Sequence, residues 1–267
     1  MIKKEKIRPF HFPNLIRVGN RYDGGYVVPE EALDNCKFLL SLGINDDISF
    51  DLHFSQINKD ICCLGVDYTV TPIFLRKRRV QAVLKSFINL LINKKKHQIY
   101  KNKAKNIRQF REFFSGNNKF LPLKVSDNSS NGRITISELL RKCNGVSSLD
   151  IFLKMDIEGD EYKVTDDIIN NIDRIAYIAC EYHHIAEYPE RFNVTINKLS
   201  EHFYLAHIHG NNHGIYSTEL DFPDTVELTW VNKDLVPVQP SSTDISYPIS
   251  NLDSPCNYKK PDYKIVF

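Results

Sequence analysis

The sequence predicts an open α/β sheet, largely parallel, with helices on both faces. Three observations carry that expectation. Apolar runs of five or six residues recur at 38–42, 61–66, 120–125, 151–155, 175–180, 204–208 and 226–231. Such continuous hydrophobicity marks strands covered on both faces. Between the runs lie segments with helical spacing, as in Phe192, Ile196, Leu199 and Phe203. Finally, the runs end in polar residues, Asp67, Ser126-Asp127, Asp156, Glu181 and His209, as in sheets whose ligands sit at the carboxyl ends of the strands.

A chain of 267 residues, 42% of them hydrophobic, is long enough to bury one sizeable core. We expect a single domain over 1–267, interrupted by a basic helical insertion at about 71–115. The formal net charge of +2 singles out no partner. No run approaches the roughly 18 apolar residues of a membrane span. The basic start MIKKEKIRPF is followed by no apolar stretch, so a cytoplasmic location is expected. The six cysteines show no CxxC spacing, and four lie in or beside apolar runs. Reduced core thiols are expected rather than disulfides or zinc ligands.

Taken in order, Asp23-Gly24-Gly25 separates Val18 from the extended Tyr26-Val27-Val28. The two glycines serve either as a hairpin turn or as a place where backbone approaches a ligand, with Arg21 and Tyr22 beside them. The strand at 38–42 contains Ser41 and runs into Gly43, with a helix expected from Asp46 or Asp47. A glycine between a first strand and a helix amino end is where nucleotide-type cofactors bind. The second run ends in Asp67, placed to accept the hydroxyls of an adenosine ribose or to cap a helix. From Arg76 to Arg111 there are thirteen Lys or Arg and no acid, interleaved with apolar residues at helical spacing. This stretch reads as a solvated helix face, a dock for a phosphate-bearing substrate, or a dock for an anionic membrane; nucleic acid ranks last.

The central stretch 149–164, LDIFLKMDIEGDEYKV, is a strand followed by Asp156, Glu158 and Gly159, then a helix opened by Asp160 and Glu161. The acids serve either as helix caps or as ligands at a strand end. The next run ends in Glu181-Tyr182-His183-His184, and the sixth in His207-Ile208-His209 with Asn211, Asn212 and His213 following. Six of the nine histidines fall between His183 and His213. Asp156, Glu181 and His209 at adjacent strand ends would form a site for Fe(II), Mn(II) or Mg(II). A metal lowers the pKa of an alcohol and orients it, and His183 or His184 could take the proton.

Three segments resemble the FkbM-type family of S-adenosylmethionine-dependent O-methyltransferases: TISELL (135–140), LKMDIEGDE (153–161) and the strand ending at Glu181. SLGIN (41–45) is similar to that family's glycine motif, here Gly43-Ile44-Asn45 followed by two acids. The resemblance covers about 36–185. It implies a Rossmann-like, seven-stranded class I methyltransferase sheet, with S-adenosyl-L-methionine as cofactor. It also implies cofactor contacts from Ser41, Gly43, Asp67, Ser126 and Asp127; Tyr22 and Asp23, at the glycine turn outside the resemblance, are further candidate cofactor contacts. Catalytic roles would fall to Asp156, His183 and His184. The expected function is metal-assisted methylation of a hydroxyl on a nucleotide-activated or capsular sugar. The partners expected are a small saccharide substrate and no nucleic acid, with self-association left open. A metal-dependent hydrolase and a non-enzymatic adaptor using the basic helix are the competing expectations.

Overall fold

The computed structural model describes residues 1–267 except Asn144, Val146 and Asp244. A hairpin comes first, β1 (Leu15–Gly19) and β2 (Gly25–Pro29), its turn at Asp23-Gly24, followed by α1 (Glu31–Asn35). Then come β3 (Phe38–Leu42), α2 (Ser49–Ile57) and β4 (Cys62–Val66). The insertion is a helical hairpin, α3 (Pro72–Ile92) and α4 (Lys94–Phe113). Thr71 and Asn93 cap the two amino ends, accepting from the amides of Phe74 and Lys96. The chain continues through β5 (Lys119–Leu121), β6 (Lys124–Val125), β7 (Arg133–Ile134) and α5 (Ile136–Lys142). It ends with β8 (Ile151–Met155), α6 (Thr165–Ile169), β9 (Ile175–Tyr182), α7 (Pro189–His202), β10 (Phe203–Gly210), β11 (Tyr216–Ser217), β12 (Phe222–Pro223) and β13 (Val226–Asn232).

The central sheet has seven strands in the order β10-β13-β9-β8-β3-β4-β5. All its pairings are parallel except those of β13, which runs antiparallel between β9 and β10. From β3 the chain winds outward to β4 and β5, then returns to β8 and winds the other way. The order therefore reverses between β3 and β8, the crevice where such sheets bind ligands. One apolar layer packs α5, α6 and α7 on one face through Leu139, Ile168, Phe192 and Ile196. The opposite layer packs α1, α2 and the β1–β2 hairpin through Leu33, Phe50, Phe54 and Tyr26. The expected α/β sheet with helices on both faces is present.

Local boundaries differ where side chains have other partners. The run at 120–125 splits at Pro122, which has no N–H to give a ladder. Only β5 joins the main sheet, and β6 pairs with β7 beyond its edge. The helix after Gly43 begins at Ser49 rather than Asp46 or Asp47, with the Asp47 carboxylate accepting the Ser49 amide at 2.8 Å. Beyond β8, Glu161 opens only a short 3₁₀ turn because its carboxylate folds back onto the Ile157 and Gly159 amides. The six cysteines are free thiols.

Candidate active site

Gly43 closes β3 with φ at +71°, and a Cβ there would come within 1.5 Å of the Asp156 carbonyl oxygen. Only glycine lets the end of β3 lie this close to the end of β8. The Asp67 carboxylate, at the end of β4, shapes the same loop. One oxygen accepts the Ile44 and Asn45 amides at 2.9 and 2.7 Å, and the other accepts the Thr69 amide and hydroxyl at 2.7 Å. Those four donors fill the acceptor positions of a carboxylate, so Asp67 braces the loop. Lys154 donates to the Gly43 carbonyl at 2.7 Å and is buried beneath the Tyr26 ring.

Register brings the acids together. Met155 pairs with Cys180, so Asp156 follows beside Glu181, and Glu181 in turn pairs with Glu227 of β13. Cross-strand neighbours share a face, here the one covered by Tyr26. His183, just past β9, folds back among the carboxylates. Its Nε2 lies 3.2 Å from Glu181, 3.8 Å from Asp156 and 3.7 Å from Glu158, and its Nδ1 lies 3.1 Å from Glu161. Asn211 donates to Glu181 at 2.9 Å. Glu158 sits at φ +55° and Gly159 at +100°, a tight turn that presents the Glu158 side chain to solvent.

The electrostatics follow from crowding. Burial, then the Asp156 charge, pushes the Glu181 carboxyl up to about 8, although His183 opposes it. Asp156 rises to about 6, through burial first and then Glu158 and Glu161, against Lys154 and His183. Burial alone would lower the His183 pKa, but its bonds to Glu161 and Glu181 raise it to about 11. Donor atoms of Asp156, Glu158 and His183 all lie within 4.8 Å of one another. Two carboxylates and one imidazole suit a hard divalent ion, and Glu161 on the far ring nitrogen orients the imidazole as a ligand. The residues present therefore fit such an ion.

The expected triad of Asp156, Glu181 and His209 does not form. The antiparallel β13 lies between β9 and β10, placing Glu227 where His209 was expected. His209 is 1% exposed, with Nδ1 3.0 Å from Glu227 and Nε2 3.1 Å from Asp262 of the C-terminal tail. Cys256 completes that cluster, its thiol donating to Glu227 at 3.4 Å. Donor atoms of His209, Glu227 and Cys256 also lie within 4.8 Å of one another, all three residues buried, with both nitrogens of His209 engaged by the protein.

The other expected residues divide. Tyr22 and Asp23 stand on the hairpin turn at the rim. Tyr22 packs against Tyr258, and Asp23 is raised by burial, with His213 countering and Glu227 adding to the shift. Ser41 is fully buried beside Asp51 of α2. Ser126 is buried and donates to Asp127 at 3.1 Å, while Asp127 lines a cavity of about 490 Å³ with Tyr162, Thr165 and Arg191. That cavity lies toward α7, apart from Gly43. His184 is exposed and packs against Gly159. Thr135 and Glu138 form a reciprocal capping box that starts α5, which accounts for TISELL structurally. Glu227 and Lys154 are absent from the residues that the sequence singles out, whereas Glu161 and Asn211 are named there without a specific role. A charged residue inside an apolar strand, as in Val226-Glu227-Leu228 or Leu153-Lys154-Met155, was the available signal.

No protein-family model matches the chain, and no curated protein matches it. Among solved structures it is similar to a fibrillarin pre-rRNA processing protein from Methanococcus jannaschii, with 12% identity over 75% of this chain and 68% of that one, at a TM-score of 0.39. It is also similar to a precorrin-6y C5,15-methyltransferase from Geobacter metallireducens GS-15, with 8% identity over 75% and 84% of the chains and a TM-score of 0.38. A third is the 16S rRNA methyltransferase KamB, with 12% identity over 81% and 100% and a TM-score of 0.35. Likenesses at this level say nothing of substrate or mechanism.

Proposed function

We propose that this chain is an S-adenosylmethionine-dependent O-methyltransferase, assisted by a divalent metal, acting on a hydroxyl of a nucleotide-activated or surface-polysaccharide sugar. The observation that supports it best is the contact of Gly43 with Asp156 at the switch point. It sets the loop suited to a nucleotide-type cofactor and the carboxylate–imidazole group on one rim.

In this reading the Gly43 loop, braced by Asp67, lies against the cofactor, and Tyr22 and Asp23 close over it. Asp156, Glu158 and His183 would hold the ion, which would lower the pKa of the acceptor hydroxyl and orient it. Glu161 fixes the His183 ring. Glu181, not a histidine, is then the base: its carboxyl, held near 8, lies close to neutrality, where proton transfer is most efficient. Bound S-adenosylmethionine would supply an electrophilic methyl group to the acceptor oxygen, and Glu181 would take the hydroxyl proton.

Thermal unfolding with S-adenosylhomocysteine tests this. Saturation at one hundred times Kd stabilises by about 2.7 kcal/mol, and a clear upward shift in Tm is expected. No shift with S-adenosylhomocysteine alongside a shift with Mn²⁺ would replace the reading with a metal-dependent hydrolase.

A further inference from the structure

The α3–α4 hairpin carries features that catalysis leaves unused. Helix α3 is apolar on two opposite sides. Leu75, Ala82 and Ser86 are buried against the protein, whereas Ile73 (81% exposed), Phe87 (70%) and Leu91 (95%) face solvent together with Val80 and Leu84. At about 100° per residue, the exposed side chains fall within ~40° of one line along the helix, and the buried ones lie opposite. Ile88 and Ile92 are also exposed, about 60° and 100° round the helix from that line, and Lys94, Lys95 and Lys96 follow at the hairpin tip.

Lys77 falls within this stripe, about 40° from its line, and other cations flank it. Of the thirteen Lys and Arg between Arg76 and Arg111, only Arg78 and Lys103 meet a carboxylate among the described residues, both on Asp46. Between the two helices runs an apolar groove of about 710 Å³, rimmed by Arg76, Arg79, Arg108 and Arg111.

The geometry points to the α3–α4 hairpin as a docking surface for an anionic lipid bilayer, with the apolar stripe in the acyl boundary and the arginines and lysines on lipid phosphates. An interfacial helix needs a strongly basic polar face and a continuous apolar one, and each basic residue near the surface adds its attraction to anionic lipid. Long basic stems beside the stripe can lie along it with their heads in the headgroup layer. A second copy fits poorly, because two such faces would oppose uncompensated positive charge. Nucleic acid fits poorly too, since the most exposed side chains of the stripe are aliphatic or phenyl. Lys95 also lies over the rings of Tyr22 and Tyr258 at 5.2 and 4.8 Å. The hairpin tip therefore adjoins the rim of the site, which would open close to the membrane plane.

Co-sedimentation of the full chain with vesicles tests this without cofactor or acceptor, so the outcome is independent of the methyltransferase reading. Binding is expected to phosphatidylcholine vesicles containing phosphatidylglycerol, not to phosphatidylcholine alone, with release by salt. Phe87→Asp with Leu91→Asp should weaken binding by tenfold or more, on the order of what losing a buried apolar side chain implies. Arg76→Gln with Arg79→Gln should weaken it as well. The altered side chains are exposed, so an unchanged thermal unfolding curve verifies the fold. A chain that stays in the supernatant with anionic vesicles overturns the proposal. So do variants that bind like the parent, or a dimer in light scattering that these substitutions dissociate.

Discussion

His183 and His209 lie on the same face of the sheet, each between carboxylates, yet their surroundings diverge. His183 follows β9 at the rim, with the open side chain of Glu158 (80% exposed) on one side of its Nε2. His209 lies in β10 beneath the C-terminal tail, closed by Glu227, Asp262 and Cys256. Similar donor types thus form a partly open cluster where Glu158 reaches solvent, and a closed one where the tail covers them. Acids around a histidine do not define a site; access does.

Substitutions can break or sharpen this contrast. The largest effect is expected at the rim. Glu181→Gln should lower the methyl-transfer rate by about 10²–10⁴-fold while leaving Mn²⁺ binding measurable by calorimetry, and Asp156→Asn should remove both. The parent rate should rise with pH as the Glu181 carboxyl, held near 8, loses its proton. A flat profile would take the base role from Glu181.

At the sealed histidine the effect should fall on stability instead. Burial would depress the His209 pKa, but Asp262 and Glu227 raise it to about 10, above the unfolded value of 6.5. The stabilisation this gives is fully present below about pH 6.5 and is lost as pH rises toward 10. Asp262→Asn should therefore destabilise by about 1–3 kcal/mol at pH 6 and by progressively less toward pH 10, as followed by urea unfolding. An equal loss at every pH would mean that His209 is not held charged.

The smallest effect belongs to His184→Ala. This neighbour of His183 faces Gly159 and solvent, so activity should stay within about threefold of the parent. A drop like that of Glu181→Gln would return the base role to this histidine.

Much of the fold could be read from residues. Period and apolarity located all seven strands of the main sheet, since buried parallel strands need continuous hydrophobic side chains. Gly43 and Asp156 were legible because a strand ending in glycine or acid before a helix restricts backbone and charge together. What the residues could not show was strand order. Nothing in Val226–Asn232 says that it inserts between β9 and β10, and that one placement moved Glu227 into the acidic row and took His209 out of it. Asp67 was placed correctly at the end of β4, but its hydrogen bonds depend on how the chain turns at Ile44 and Asn45, which a single sequence does not reveal. The tail residues Cys256 and Asp262 act only through long-range contact, and no local pattern announces that.

The place of β13 also bears on how the chain is made. It is the last strand of the main sheet to be synthesised, and it fills an interior position, so β10 cannot dock until Asn232 has left the ribosome. Until then β9 is an open edge of unpaired backbone groups among apolar side chains, the kind that recruits foreign strands. A nascent chain halted, or a gene truncated, between β10 and β13 would leave a sheet with its hydrogen bonds facing outward, a stage at which a chaperone has most to do.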